Sequence, residues 1–137
     1  MGTVYTEITL KNGSDLVRLQ DGSITDKDVR SLTVEALVDT GAMTLVINEN
    51  ICQTLGLSIE DTRTAYLAGG GGIPCKITEP VHIYWKNRDA SCRAWVLPGG
   101  NDILLGVIPL EEMDLAVDLT KRELYGIHGD EVIAMIK

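Results

Sequence analysis

Phenylalanine is missing from this chain of 137 residues, and aromatic residues make up only 4% of it. Any core must therefore be aliphatic, built from Val, Ile, Leu and Met. Basic residues are also scarce: 12 Lys and Arg stand against 20 Asp and Glu, for a net charge of −8. Gripping a phosphate backbone needs surplus cations, so nucleic acid is not an expected partner. No apolar run approaches the roughly 20 residues a membrane-crossing helix needs, so no membrane is expected either. The segment Met1–Tyr5 lacks the basic-then-apolar pattern of a secretion signal. Cys52, Cys75 and Cys92 are odd in number and widely spaced, which fits reduced thiols and a cytoplasmic location. Together with His82 and His128 they lack zinc-ligand spacing, and neither a metal nor an organic cofactor is expected.

What is present points to strands. The length suits one domain, residues 1–137. Fourteen glycines and several turn clusters favour short strands over long helices. Val4 to Leu10 and Ser31 to Val38 alternate with period two, the second becoming fully apolar at Leu37-Val38. Asn12-Gly13 reads as a turn, Leu16 to Leu19 as a short strand, and Thr44 to Ile47 as another strand. Asn48 or Asn50 suits the cap of a helix running through Leu55 and stopped by Gly56. Thr62 to Ala68 and Ile73 to Trp85 read as two strands joined by Gly69-Gly70-Gly71-Gly72, a long hairpin, with Pro80 interrupting the second. Ser91 to Leu97 and the run Ile103-Leu104-Leu105-Gly106 follow. A short helix is expected over Pro109 to Leu115, with Glu111 and Glu112 near its positive end. Ala116 to Leu119, Leu124-Tyr125 and Glu131 to Ile136 complete the strands, giving a mainly β fold with one or two short helices.

The chemistry-bearing candidate is Leu37-Val38-Asp39-Thr40-Gly41-Ala42. Asp-Thr-Gly is good turn chemistry by itself. Here it lies between two apolar strands, so the turn is expected inside the protein. A buried carboxylate must be neutralised, paired or hydrogen-bonded. No other acid has this context: Asp61, Asp89, Asp102 and Asp118 sit in polar turns or at strand ends, without a second Thr-Gly.

Four blocks carry a resemblance. They are Val34 to Ala42, the strand and helix ending Leu55-Gly56-Leu57, the glycine-rich hairpin Ala68 to Ile73, and Val96-Leu97-Pro98-Gly99-Gly100 leading into Leu104-Leu105-Gly106. In this order the sequence resembles the retropepsin-like aspartic proteases, in particular the bacterial branch with one Asp-Thr-Gly-Ala per chain. The resemblance implies a closed β-barrel, one acid-protease half, assembled as a two-fold homodimer. It implies that Asp39 is the catalytic carboxylate. Thr40 would tie the two active-site loops together, and Gly41 would allow the sharp turn and offer an amide to the carboxylate. Ala42 with Ala68, Gly69, Gly70, Gly71, Gly72 and Ile73 would face substrate, the last six as the flap. Leu104, Leu105 and Gly106 would support the catalytic loop. The implied activity is hydrolysis of a peptide or protein substrate. Two carboxylates about 3 Å apart share one proton, the charged one activating water and the protonated one polarising the scissile carbonyl. With one motif per chain, the simplest second carboxylate is Asp39 of another chain in an isologous dimer. The terminal segments Val4 to Leu10 and Glu131 to Ile136 are the expected interface sheet.

The sequence departs from the retroviral pattern in several places, among them Gly106-Val107-Ile108 where those enzymes carry Gly-Arg-Asn. Met43-Thr44-Leu45 stands where those enzymes carry a further Asp, and the flap has four consecutive glycines. A dimeric peptide-binding or assembly module with little cleavage is therefore the alternative reading. Ala42 also has no hydroxyl to offer the carboxylate. Ala42→Ser is expected to extend activity to lower pH, read from the acid limb of the pH–rate profile.

Overall fold

The computed structural model describes all residues except 1, 2, 101, 135 and 137. Met1 and Gly2 of the amino-terminal segment, Asn101 of an expected turn and Met135 of the last expected strand thus lie outside the described residues. The chain is mainly β. Strand β1 (Tyr5–Asn12) is followed by helix α1 (Gly13–Gln20), β2 (Ser31–Val38), β3 (Leu45–Ile47) and helix α2 (Glu49–Thr54). Then come β4 (Ile59–Tyr66), β5 (Gly72–Trp85), β6 (Arg88–Val96), β7 (Leu104–Leu105), helix α3 (Val107–Glu112), β8 (Leu115–Asp118) and β9 (Glu123–Gly126).

Seven strands form one sheet in the order β1-β2-β7-β3-β6-β5-β4, and β1 also pairs with β5. That extra pairing joins Thr9–Asn12 to Tyr84–Val81, bending the sheet into a ring from which β4 projects. β8 and β9 form a separate hairpin. The interior is aliphatic, as the missing phenylalanine requires: Ile8, Leu10, Leu45, Ile47, Leu55 and Leu105 are among its fully buried side chains.

The structure corrects the sequence reading at three places. Leu16 to Leu19 lies in α1, not in a strand. Asn12 ends β1 and caps the helix, its side chain accepting the Asp15 amide at 3.0 Å. An Asn-Gly pair serves hairpin turns and helix starts alike, and the Asn cap decided it here. Next, α3 begins at Val107, so Glu111 and Glu112 fall at its carboxyl end and not near its positive pole. Third, the expected strand Glu131 to Ile136 is not formed among the described residues. Glu131 makes one isolated bridge to His128, and the Ile133 amide donates to the Asp114 carboxylate at 3.1 Å instead of entering a ladder. β1, expected at an interface, pairs with β2 along Tyr5–Lys11 and with β5 only along Thr9–Asn12. Other features match. Pro80 sits beside a register shift in the β5–β6 ladder, where a strand tolerates a missing amide.

The ring is braced by an ion pair with a buried carboxylate and a half-exposed guanidinium. Asp15 is 2% exposed, and its carboxylate accepts the Arg30 Nε and Nη2 at 2.8 Å each and the Arg30 amide at 2.9 Å. The Arg30 side chain, against the opposing cost of burial, holds the Asp15 carboxyl at about 2, from 3.8. A depressed folded-state value contributes stability above the unfolded value, and that stability is lost as pH falls toward 2. The shift corresponds to roughly 2 kcal/mol. Asp15→Asn is expected to lower the urea midpoint by about that amount at pH 7, and the gap from the parent should close toward pH 2.

Candidate active site

Asp39 follows β2 directly. Its position is set by a parallel pairing between β2 and β7, Leu37 opposite Leu104 and Val38 opposite Leu105. The Leu37 amide donates to Ile103 O at 2.7 Å and the Asp39 amide to Leu105 O at 3.0 Å. β7 simultaneously pairs antiparallel with β3. A two-residue strand between β2 and β3 thus holds both ends of the loop that carries Asp39.

The loop closes as a tight turn: the Ala42 amide donates to Asp39 O at 3.1 Å. The Gly41 amide donates to the Asp39 carboxylate, at Oδ1, at 2.8 Å. This hydrogen bond holds the orientation of the carboxylate. Beyond the turn, the Val107 and Ile108 amides donate to the Ala42 and Met43 carbonyls, both at 2.9 Å. Gly106 lies against this backbone. A Cβ there would stand 2.3 Å from Thr44 O and 2.5 Å from Ala42 O, so only glycine fits.

The sequence implied a buried loop, and in the single chain it is not. Asp39 is half-buried, and Thr40 and Gly41 are exposed. The apolar stems Ala36 and Leu105 are fully buried, while the tip turns outward. Apolar flanks therefore reported on the strands and not on the turn between them.

Asp39 opens onto a cleft of about 440 Å³. Gly41, Ala42, Met43, Thr44 and Val46 form one side. Thr64, Ala65, Tyr66, Leu67 and Ala68 cover it from the β4–β5 hairpin, and Cys75, Trp95, Leu97 and Leu104 complete the lining. Of the residues singled out from sequence, Asp39, Gly41, Ala42, Ala68 and Leu104 meet here. Thr40, Gly69, Gly70, Gly71, Gly72, Ile73, Leu105 and Gly106 do not line it. Leu105 and Gly106 act from behind, holding the loop. Gly72 and Ile73 belong to β5, pairing with Tyr66 and Ala65, so the hairpin tip is Leu67–Gly71, shifted toward β4 from the four glycines expected to form it. Gly70 and Gly71 have φ of +91° and +81°, a conformation that a side chain resists.

The flanks of this hairpin and Trp95 were not among the residues singled out from the sequence. Trp95 lines the cleft, whereas Trp85 is the buried anchor, donating from Nε1 to Thr6 Oγ1 at 2.8 Å. Among the described residues Asp39 is the one carboxylate lining the cleft. Asp61 pairs with Arg63 and Asp89 with His82, both elsewhere. No cluster of three or more His, Cys, Asp or Glu suited to a metal occurs among the described residues.

Comparison with known sequences returns the same grouping. Residues 20–112 match the family described as "gag-polyprotein putative aspartyl protease". DNA damage-inducible protein 1 of Neurospora crassa is similar, 32% identical over 112 residues. That alignment covers 78% of this chain and 25% of the relative, so the chain spans about a quarter of that protein's length. The matched stretch contains the Asp39 loop, the hairpin and the Leu104-Leu105-Gly106 support. Gly106→Ala tests the support. It should cost about 3 kcal/mol, because the clashing atoms are backbone carbonyls, and lower the thermal midpoint by roughly 10 °C. Differential scanning calorimetry reads this directly.

Proposed function

The chain belongs to the retroviral-type aspartyl protease family, and from that premise we propose that it is an aspartic endopeptidase completed by two copies of itself. One Asp39 comes from each chain. The ionised member of the pair takes a proton from a water held between them, and the water attacks the scissile carbonyl carbon. The protonated member gives its proton to the carbonyl oxygen, so the tetrahedral species forms without a free oxyanion. Collapse breaks the C–N bond, with a proton delivered to the departing amine. The two protonation steps belong to the pair and not to either carboxyl. No metal or organic cofactor enters this scheme.

One observation carries the reading. Asp39 lines a cleft that the β4–β5 hairpin also lines, its loop braced by β7 and its carboxylate held by the Gly41 amide, and among the described residues no second carboxylate lines the cleft. A half-buried Asp39 and an exposed Thr40 leave the loop tip accessible to a partner loop. The half-exposed apolar side chains Val132 and Ile133, with Ile136 at 90% exposure, make the carboxyl-terminal segment a candidate part of that contact.

A second reading, a peptide-binding or assembly module that cleaves little, has its own support. Apart from Asp39 the cleft is lined mainly by apolar side chains, among them Met43, Val46, Leu97 and Trp95, and such a surface retains peptide without chemistry. Cleavage of a peptide library separates the two. The parent chain should cleave, and Asp39→Asn should lose about a thousandfold or more. Adding excess Asp39→Asn chain to the parent should depress activity beyond simple dilution, because mixed dimers hold one carboxylate. Equal cleavage by parent and mutant, or no effect of mixing, would refute the shared dyad.

A further inference from the structure

One edge of β1 is left partly unpaired. The Val38 amide donates to Val4 O at 2.8 Å, and the Asn12 amide to Arg30 O at 3.0 Å. Bonded pairs alternate along an antiparallel ladder, so the even-numbered residues of β1 bond to β2 and the odd-numbered ones turn the other way. There Thr9 and Lys11 meet Tyr84 and His82 of β5. β5 ends at Trp85, and the chain turns away at Lys86, whose φ is +49°. Tyr5 and Glu7 therefore face no strand. Among the described residues no hydrogen bond reaches their amides or carbonyls.

This edge borders a groove of about 490 Å³, which shares no lining residue with the Asp39 cleft. Tyr5, Glu7 and Thr9 form the β1 bank, and Tyr84, Trp85 and Lys86 the opposite one. The two banks differ in charge. On the β5 side the cations lie on rings: Lys11 Nζ is 5.1 Å from the Tyr84 centroid and Lys86 Nζ is 4.7 Å from that of Trp85. On the β1 side Glu7 stands opposite Glu35 of β2, both exposed. By the same alternation they are a non-hydrogen-bonded pair, the kind with the closer side chains, and like charges so placed repel. No ion pair relieves either of them among the described residues. Beside them the Tyr5 ring is 47% exposed.

We propose that the open edge at Tyr5–Glu7 is a docking site, apart from the Asp39 cleft, for an extended segment of a partner protein that carries an arginine. The segment adds to β1 as a short strand, and its main chain takes up the free groups of Tyr5 and Glu7. Such pairing supplies affinity, while side-chain contacts supply selectivity. The arginine reaches the Glu7 and Glu35 carboxylates and lies on the Tyr5 ring. A guanidinium suits both tasks, because it is planar, forks onto carboxylates and stacks on aromatic faces. An acidic segment would bring a third carboxylate to two that already repel. The chain's net charge of −8 draws basic partners from a distance.

The test uses binding and not cleavage. The isotope-labelled full-length Asp39→Asn chain is titrated with octapeptides of alternating Thr-Arg, Thr-Gln and Thr-Glu and followed by NMR. The Thr-Arg peptide should shift the Tyr5 and Glu7 amide signals and slow their exchange with solvent. It should bind on the order of tenfold more tightly than the Thr-Glu peptide, and less tightly as salt is added. Glu7→Gln with Glu35→Gln, in the same background, should lose that preference and keep the thermal midpoint, since it removes a repulsion. Glu7→Lys should turn the preference toward the Thr-Glu peptide. Unchanged preference in these variants would overturn the proposal. So would shifts confined to the Asp39 loop and Tyr66, or no binding of the Thr-Arg peptide at millimolar concentration. Protection of the Tyr5 and Glu7 amides that needs no peptide and grows with chain concentration would overturn it too, by making a second copy the occupant.

Discussion

There is no room for a side chain at position 106, and much else follows from that. The approach of Gly106 to Ala42 O and Thr44 O lets the two-residue strand β7 slot between β2 and β3 and pair with both. Without this approach the Asp39 loop would be tied only at its β2 end. With it, four backbone hydrogen bonds on three sides fix the loop: Leu37 to Ile103, Asp39 to Leu105, Val107 to Ala42 and Ile108 to Met43. The proposed hydrolysis would require the carboxylate to be held within a fraction of an ångström, and rigid elements do that better than a free loop. The supporting glycine is as much part of the site as the residues that face the cleft.

The far side of the ring is fixed differently, by buried polar groups that are satisfied by design of the turns around them. Glu79 is 7% exposed. Burial pushes its carboxyl up, but hydrogen bonds from Ser14 and from the Ser58 amide and hydroxyl outweigh that and leave it below its ordinary value. It thereby ties α1 and the start of β4 to β5. Arg88, 4% exposed, donates to the carbonyls of Met113, Asp114 and Gly129. Asp114 in turn accepts from His128 and the Ile133 amide, and the His128 contact holds its carboxyl below the usual range. A partly satisfied network is worse than none in a low-dielectric interior, and each of these is closed by several donors. The aliphatic interior supplies most of the driving force, and these groups select one arrangement of it.

How much of this was legible in the chain depended on the range of the interaction. Period-two alternation located β2, and Asn48 with Gly56 located α2, because those signals lie within the element itself. The Leu104-Leu105-Gly106 element was also readable, though only through its resemblance to a family; nothing local says that two leucines will pair with two strands at once. The failures came where long-range partners decided the outcome. Asn12-Gly13 is turn chemistry until a helix docks on β5 through it. Glu131 to Ile136 reads as a strand, yet the Ile133 amide goes to Asp114, a residue held at φ +55° after α3. The cleft-facing role of Trp95 depends on β6 running parallel beside β3, a pairing between residues far apart in sequence.

The exposure of the Asp39 turn is best understood through the cost of burying charge. A lone ionised carboxylate enclosed in an aliphatic core would be expensive, and a stable monomer would have to pair it internally or leave it near water. This chain does the second: the strands on either side are buried, while the turn stays half-open with one amide on the carboxylate. A closed site made by a partner loop would gather two such carboxyls, and one shared proton would then remove half the charge before it is enclosed. The cost of enclosing charge is thus compatible with the proposed completion of the site by a second copy. It also places the demand for precision on the backbone that carries the turn, which is where Gly106 and β7 act.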